Sequence, residues 1–97
     1  MVIGLLTLDL HFPGARSLKD KRQALRSLET RIRNRFNVSV AEVEHQDLWQ
    51  RAAIAVSSVG GEGYHLKRVM HEVERHIDTF PAVEVIDRRL TLHGLED

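Results

Sequence analysis

The chain has no cysteine, which excludes disulfides, thiolate nucleophiles, Cys-based zinc sites and iron–sulfur clusters together and suits a reducing interior. Proline occurs only twice, and with a balanced share of apolar and charged residues the composition is that of a globular chain, neither disordered nor fibrous. No apolar stretch approaches the roughly 20 residues of a membrane-spanning helix. The run from Val2 to Leu10 is interrupted by Asp9 and has neither a basic leader nor a small-residue cleavage site, so it does not read as a signal peptide. A cytoplasmic location without membrane contact is expected. Neither a phosphate-binding P-loop nor a dinucleotide-binding glycine fingerprint is present. Net charge is lacking too, because fourteen Lys and Arg offset fourteen Asp and Glu.

That balance conceals a polarised molecule. The segment from Arg16 to Arg35 holds eight of the fourteen basic residues and only two acids, Asp20 and Glu29. The other 77 residues carry six basic and twelve acidic side chains. Such an asymmetry points to an anionic partner.

Hydrophobic periodicity places this segment on a helix. Val2 to His11 alternates, with Leu6, Leu8 and Leu10 on one parity, as a strand does. Phe12 to Ala15 breaks the pattern, and Ser17 followed three residues later by Asp20 makes a capping box that opens a helix. Leu25, Leu28, Ile32 and Phe36 form its apolar stripe. A second strand is expected from Val38 to His45 and a third from Arg51 to Val59, paired as a hairpin. After Gly60, Gly61 and Gly63, a second amphipathic helix carries Leu66, Val69, Met70, Val73 and Ile77 and ends near Asp78. Phe80-Pro81 stops it, and Val83 to Leu92 is the fourth strand, with Ile86, Leu90 and Leu92 assigned to one parity.

The order β-α-β-β-α-β is the ferredoxin-like pattern: one α+β domain over residues 1–97, a four-stranded antiparallel sheet with two helices on one face. The other face is left open and should display Leu5, Thr7, Asp9, Ala53, Ala55, Ser57, Val85 and Arg89. Much of this is small or apolar, so a second copy of the chain is expected to cover it, making a homo-oligomer.

At 100° per residue, Lys19, Arg22, Arg26 and Arg33 fall on one flank of the first helix and Arg31 and Arg35 on the other. Glu29 can pair with Arg33 and Arg26, so part of this charge is a laced, solvated surface. Lys19 and Lys21 in the first turn oppose the helix dipole, a small cost that a bound anion would offset. Arg16, Lys19 and Lys21 around the turn from Pro13 to Ser17 therefore make a candidate phosphate pocket. The candidate nucleic-acid contacts are Arg16, Lys19, Arg22, Arg26 and Arg33, with Lys21 and Arg35 secondary.

Catalytic and cofactor chemistry finds little support. His65, His71 and His76 are spaced six and five apart, unlike a zinc-binding pair one helical turn apart. Asp9 and His11 share a strand face, as do Glu42 and Glu44, without an accompanying nucleophile or oxyanion motif. Gly60 to Gly63 matches a GxxG loop, but a strand precedes it where a KH domain requires a helix. The third strand, RAAIAVSS, lacks the stacking aromatics of an RNA-recognition motif. Trp49 reads as an anchor packing the loop between strands two and three, in preference to an interface hot spot. No cofactor, no metal and no enzymatic activity are expected.

The residues LKDKR (Leu18 to Arg22), NRFNVSVAEV (Asn34 to Val43) and D-x-W-Q-R (Asp47 to Arg51) resemble the YlxP-like family of small bacterial proteins, a domain of unknown function. The opening VIGLLTLDLHFPGARS is similar as well, so about the first sixty residues carry the resemblance. It implies a ferredoxin-like fold and brings no catalytic residues. Members are often encoded beside translation-initiation and ribosome-maturation factors, which implies association with RNA or the ribosome. The expected function is that of a non-enzymatic accessory protein touching RNA or a ribonucleoprotein through the basic flank. The alternatives are an oligomeric protein-interaction module and a small-anion regulator at the Pro13–Ser17 turn.

Overall fold

The computed structural model describes residues 1–94 of the chain. Strand β1 (Val2–His11) leads into helix α1 (Leu18–Arg35), then β2 (Ser39–Glu44), β3 (Arg51–Gly60), α2 (Gly63–Asp78) and β4 (Glu84–Gly94). The four strands form one antiparallel sheet in the order β2-β3-β1-β4. This is the ferredoxin-like fold. Alternation in β1 sends Leu6, Leu8 and Leu10 to the core, where they meet Ala52, Ile54 and Val56 of β3. Leu25, Leu28 and Ile32 of α1 and Met70, Val73 and Ile77 of α2 close over the same face. Each large aliphatic side chain so buried contributes about 1.5–3 kcal/mol, which is why both helices lie on one side and the other face stays open.

The fourth strand departs from simple alternation. Leu10 pairs with Val85 but Asp9 with Asp87, so Ile86 is an extra residue in a β-bulge. A bulge reverses the parity of everything beyond it. Val85 therefore packs against the core instead of standing on the open face, and Ile86, assigned by parity to the side of Leu90 and Leu92, is 52% exposed. A second irregularity lies between Glu42 and Glu44 in β2.

Helix α1 lies beside β2, an edge strand. Arg33 Nη2 donates to the carbonyl of Val40 at 2.7 Å. The flank carrying Lys19, Arg22, Arg26 and Arg33 thus runs along that edge, while Arg31, stacked 5.1 Å from the Phe80 ring, marks the flank towards the α2–β4 connection. Among the described residues, no helix is long and apolar enough to cross a membrane.

Candidate functional site

The start of α1 is closed by its own side chains. Ser17 Oγ accepts from the amide of Asp20 at 3.1 Å, and Asp20 Oδ2 accepts from the amide of Arg16 at 2.9 Å. The Asp20 carboxylate thereby takes the place at the positive end of the helix dipole that an anion would occupy. The hollow beside it is lined by Phe12, Pro13, Gly14, Ala15, Asp20 and Ala24 together with Pro81 and Ala82, and no cation lines it. The geometry therefore argues against the phosphate pocket read into the Pro13–Ser17 turn.

Lys21 requires a larger correction. It is completely buried and points inward, away from any external anion. Its Nζ lies 3.0 Å from Glu42 Oε2, and 2.8, 3.3 and 3.1 Å from the carbonyls of His45, Gln46 and Arg51. An ammonium group has three protons, so these four acceptors saturate it. The cation in the first turn is accounted for by this internal partner set. Lys21 lies four residues before Leu25 and seven before Leu28, on the apolar stripe, and that spacing is the signal that could have placed it.

The remaining cations divide clearly. Arg33 is split between Val40 O and Glu29 Oε2, the latter at 3.3 Å, and so is largely committed to the fold. Arg35 lies 5.9 Å from the Phe36 ring centroid. Burial pushes the Glu29 carboxyl above its ordinary value of 4.5, with Arg33 opposing this, Glu42 adding to it and Arg26 opposing it. Arg16, Lys19, Arg22 and Arg26 are exposed, and none forms a side-chain ion pair among the described residues. The five-residue candidate set contracts to these four.

The connection between β2 and β3 abuts this strip and is tightly held. Besides the bonds from Lys21, Phe12 N donates to Gln50 O at 2.8 Å, and Gln50 Nε2 donates to the carbonyls of Ala15 at 3.0 Å and Pro13 at 3.4 Å. His45 adopts φ 65°, left-handed backbone unusual for a residue with a side chain. Its carbonyl accepts from Leu48 N at 3.0 Å as well as from Lys21. Trp49 is 58% exposed and Leu48 47%, so neither packs the loop down as the sequence suggested for Trp49. Hydrogen bonds to the backbone and Gln50 do that instead.

The open sheet face has a different character. Register sets Ala41, Ala55, Thr7 and Arg89 in one row and Glu44, Ala53, Asp9 and Asp87 in the next. A shallow depression of about 340 Å³ lies between Val43 and Glu44 on one side and Asp87 and Arg89 on the other. Asp9 and His11 do not act as a pair: Arg51 Nη2 donates to Asp9 Oδ2 at 2.7 Å, and His11 Nδ1 lies 3.2 Å from Glu84 Oε2. Asp9 Oδ1 and Arg51 Nε are closed off from solvent without a hydrogen-bond partner among the described residues.

A ferredoxin-like sheet with a basic helix flank along one edge defines a class of small α+β domain, not an activity. Two solved structures share the fold at low identity. A de novo designed protein, Foldit4, matches with a TM-score of 0.55 and 12% identity, over 94% of this chain and 97% of that one. A mutant form of SnoaB, a cofactor-independent oxygenase from Streptomyces nogalater, matches with a TM-score of 0.54 and 7% identity, over 99% of this chain and 94% of that one. Sequence is more specific. Residues 3–90 match the family described as Protein of unknown function (DUF503), and the chain belongs to that family. The Uncharacterized protein YlxP of Bacillus subtilis (strain 168) is 35% identical over 83 residues, covering 86% of this chain and 90% of that protein.

Proposed function

We propose that this chain is a non-enzymatic cytoplasmic accessory protein that binds RNA, free or within a ribonucleoprotein, through Arg16, Lys19, Arg22 and Arg26. The observation that carries this reading is the exposure, on and just before one helix flank, of four cations without an ion-pair partner among the described residues, while nearby Lys21 and Arg33 are taken up by the fold. Contacts of this kind are made to phosphates, so affinity is mainly electrostatic and only weakly sequence-selective. Reversing Arg22 and Arg26 to Glu should abolish binding to a structured RNA at low ionic strength while leaving the far-UV spectrum and melting temperature near those of the wild type. Undetectable binding by the wild type, or equal binding by the reversed variant, refutes it.

A second reading rests on the open sheet face. The bed of small side chains that Ala41, Ala53 and Ala55 make beside Thr7 favours cover by a second copy, because an apolar patch left in water is adhesive. Arg89 stands one row from Glu44, Asp9 and Asp87, so two copies face to face can set each arginine towards the other's carboxylates. Light scattering should give the mass of a dimer that Ala55→Arg reduces to a monomer. A wild-type monomer at every concentration excludes it.

A further inference from the structure

We infer that Trp49 is a stacking platform for an unpaired RNA base, which makes the preferred ligand single-stranded or looped RNA and not a continuous duplex. This inference rests on the RNA reading given above and narrows it. Large apolar side chains at the tip of a surface loop ordinarily fold back or move with the loop. Here the side chain is 58% exposed, and its backbone is pinned on both sides, by Lys21 to the carbonyls of His45, Gln46 and Arg51 and by Gln50 to the β1–α1 turn. An indole projecting from a pinned backbone needs no ordering of its loop when a ring is laid on it, which lowers the cost of base stacking.

Its position supplies the second part of the argument. Gln50 Nε2 donates to Ala15 O, so Trp49 and Arg16 each lie one residue from that bond. Lys19 follows on the first turn of the helix, and Leu48, the residue before Trp49, is 47% exposed. An aromatic face next to cations that can follow a phosphate backbone is the combination used for single strands, whose bases are free to splay out. The carboxylates closest in sequence are Asp20, already accepting from the Arg16 amide, and exposed Asp47. The open sheet face carries the row Glu44, Asp9 and Asp87 and has no exposed aromatic ring, so it is a poor surface for the same strand.

Trp49 is the only tryptophan, so its emission reports on this position alone. The test titrates the protein with a 12-nucleotide oligouridylate and, separately, with a blunt RNA duplex of similar charge. Oligouridylate should quench the emission and the duplex should leave it nearly unchanged. Trp49→Ala should weaken binding to the single strand by roughly 5- to 150-fold, leave duplex affinity and the salt slope unaltered, and be rescued in large part by Trp49→Phe. Trp49→Ala binding both RNAs as the wild type does overturns the platform while the basic strip stands. A wild type that binds neither RNA overturns the reading beneath it. Emission that responds only to rising protein concentration assigns Trp49 to a protein contact and also overturns the proposal.

Discussion

Replacing Lys21 by Met keeps most of the side chain's length and removes its charge, which isolates what the buried ammonium does. In the wild type it meets one carboxylate and three carbonyls within 3.3 Å. Glu42, its acidic partner, has a side chain only 18% exposed. Removing one member of a buried ion pair costs about 3–5 kcal/mol, because the other charge is left without its partner. The three carbonyls would lose a charged donor too, but water entering the loop would satisfy some of them, so the pair figure is the better guide. Against a typical domain stability of about 5–15 kcal/mol this is a large fraction. At roughly 5 °C per kcal/mol for a chain of this size, the melting temperature should fall by about 15–25 °C. Urea denaturation at neutral pH, with the slope m compared between variants, separates lost stability from a changed unfolded state. Lys21→Met/Glu42→Gln should be less destabilised than the sum of its two single variants. A loss below about 1 kcal/mol in Lys21→Met would refute the argument that this cation holds the β2–β3 connection.

The raised Glu29 carboxyl has a worked sign. Because its folded-state value lies above the ordinary 4.5, its charged form is disfavoured in the fold, so it lowers stability at pH values above the folded value. That penalty shrinks as pH falls through the folded value and is absent below the unfolded one. Glu29→Gln should therefore stabilise the protein at pH 7 relative to wild type, the difference closing near pH 4, as thermal melts across that range would record; an opposite pH trend would contradict the desolvation assignment. Removing this acid also leaves the basic strip more positive, and RNA affinity measured at low salt should rise a few-fold. The β4 bulge predicts an inverted pair: Val85→Asp should cost at least about 2 kcal/mol by burying a charge, whereas Ile86→Asp should change stability by no more than about 0.5 kcal/mol. Straight alternation predicts the reverse.

Most of the architecture was written in periodicity. The leucines of β1, the stripes of both helices and the Ser17–Asp20 box identify elements whose local pattern agrees with the fold. The errors fall where a non-local partner decides. Val85 and Ile86 look like any alternating pair, and only pairing with Leu10 and Asp9 reveals the extra residue. Lys21 was counted among the surface cations because its charge outweighed its place on the apolar stripe, and its acceptors come from residues more than twenty positions away. Trp49 was expected to anchor its loop, a role that falls to Lys21 and Gln50. The basic flank was visible as a count of charges, but its usable part emerged only after the internal partners of Lys21 and Arg33 were known.

The most direct test of the RNA reading is the dependence of affinity on salt. With four phosphate contacts on a single strand, the logarithm of the association constant should fall against the logarithm of salt with a slope of about −3, a loss of roughly 50-fold between 50 and 200 mM. Arg22→Ala/Arg26→Ala should halve that slope. A wild-type slope near zero, or one unchanged in the double variant, would contradict the assignment of Arg16, Lys19, Arg22 and Arg26 as the RNA-binding strip.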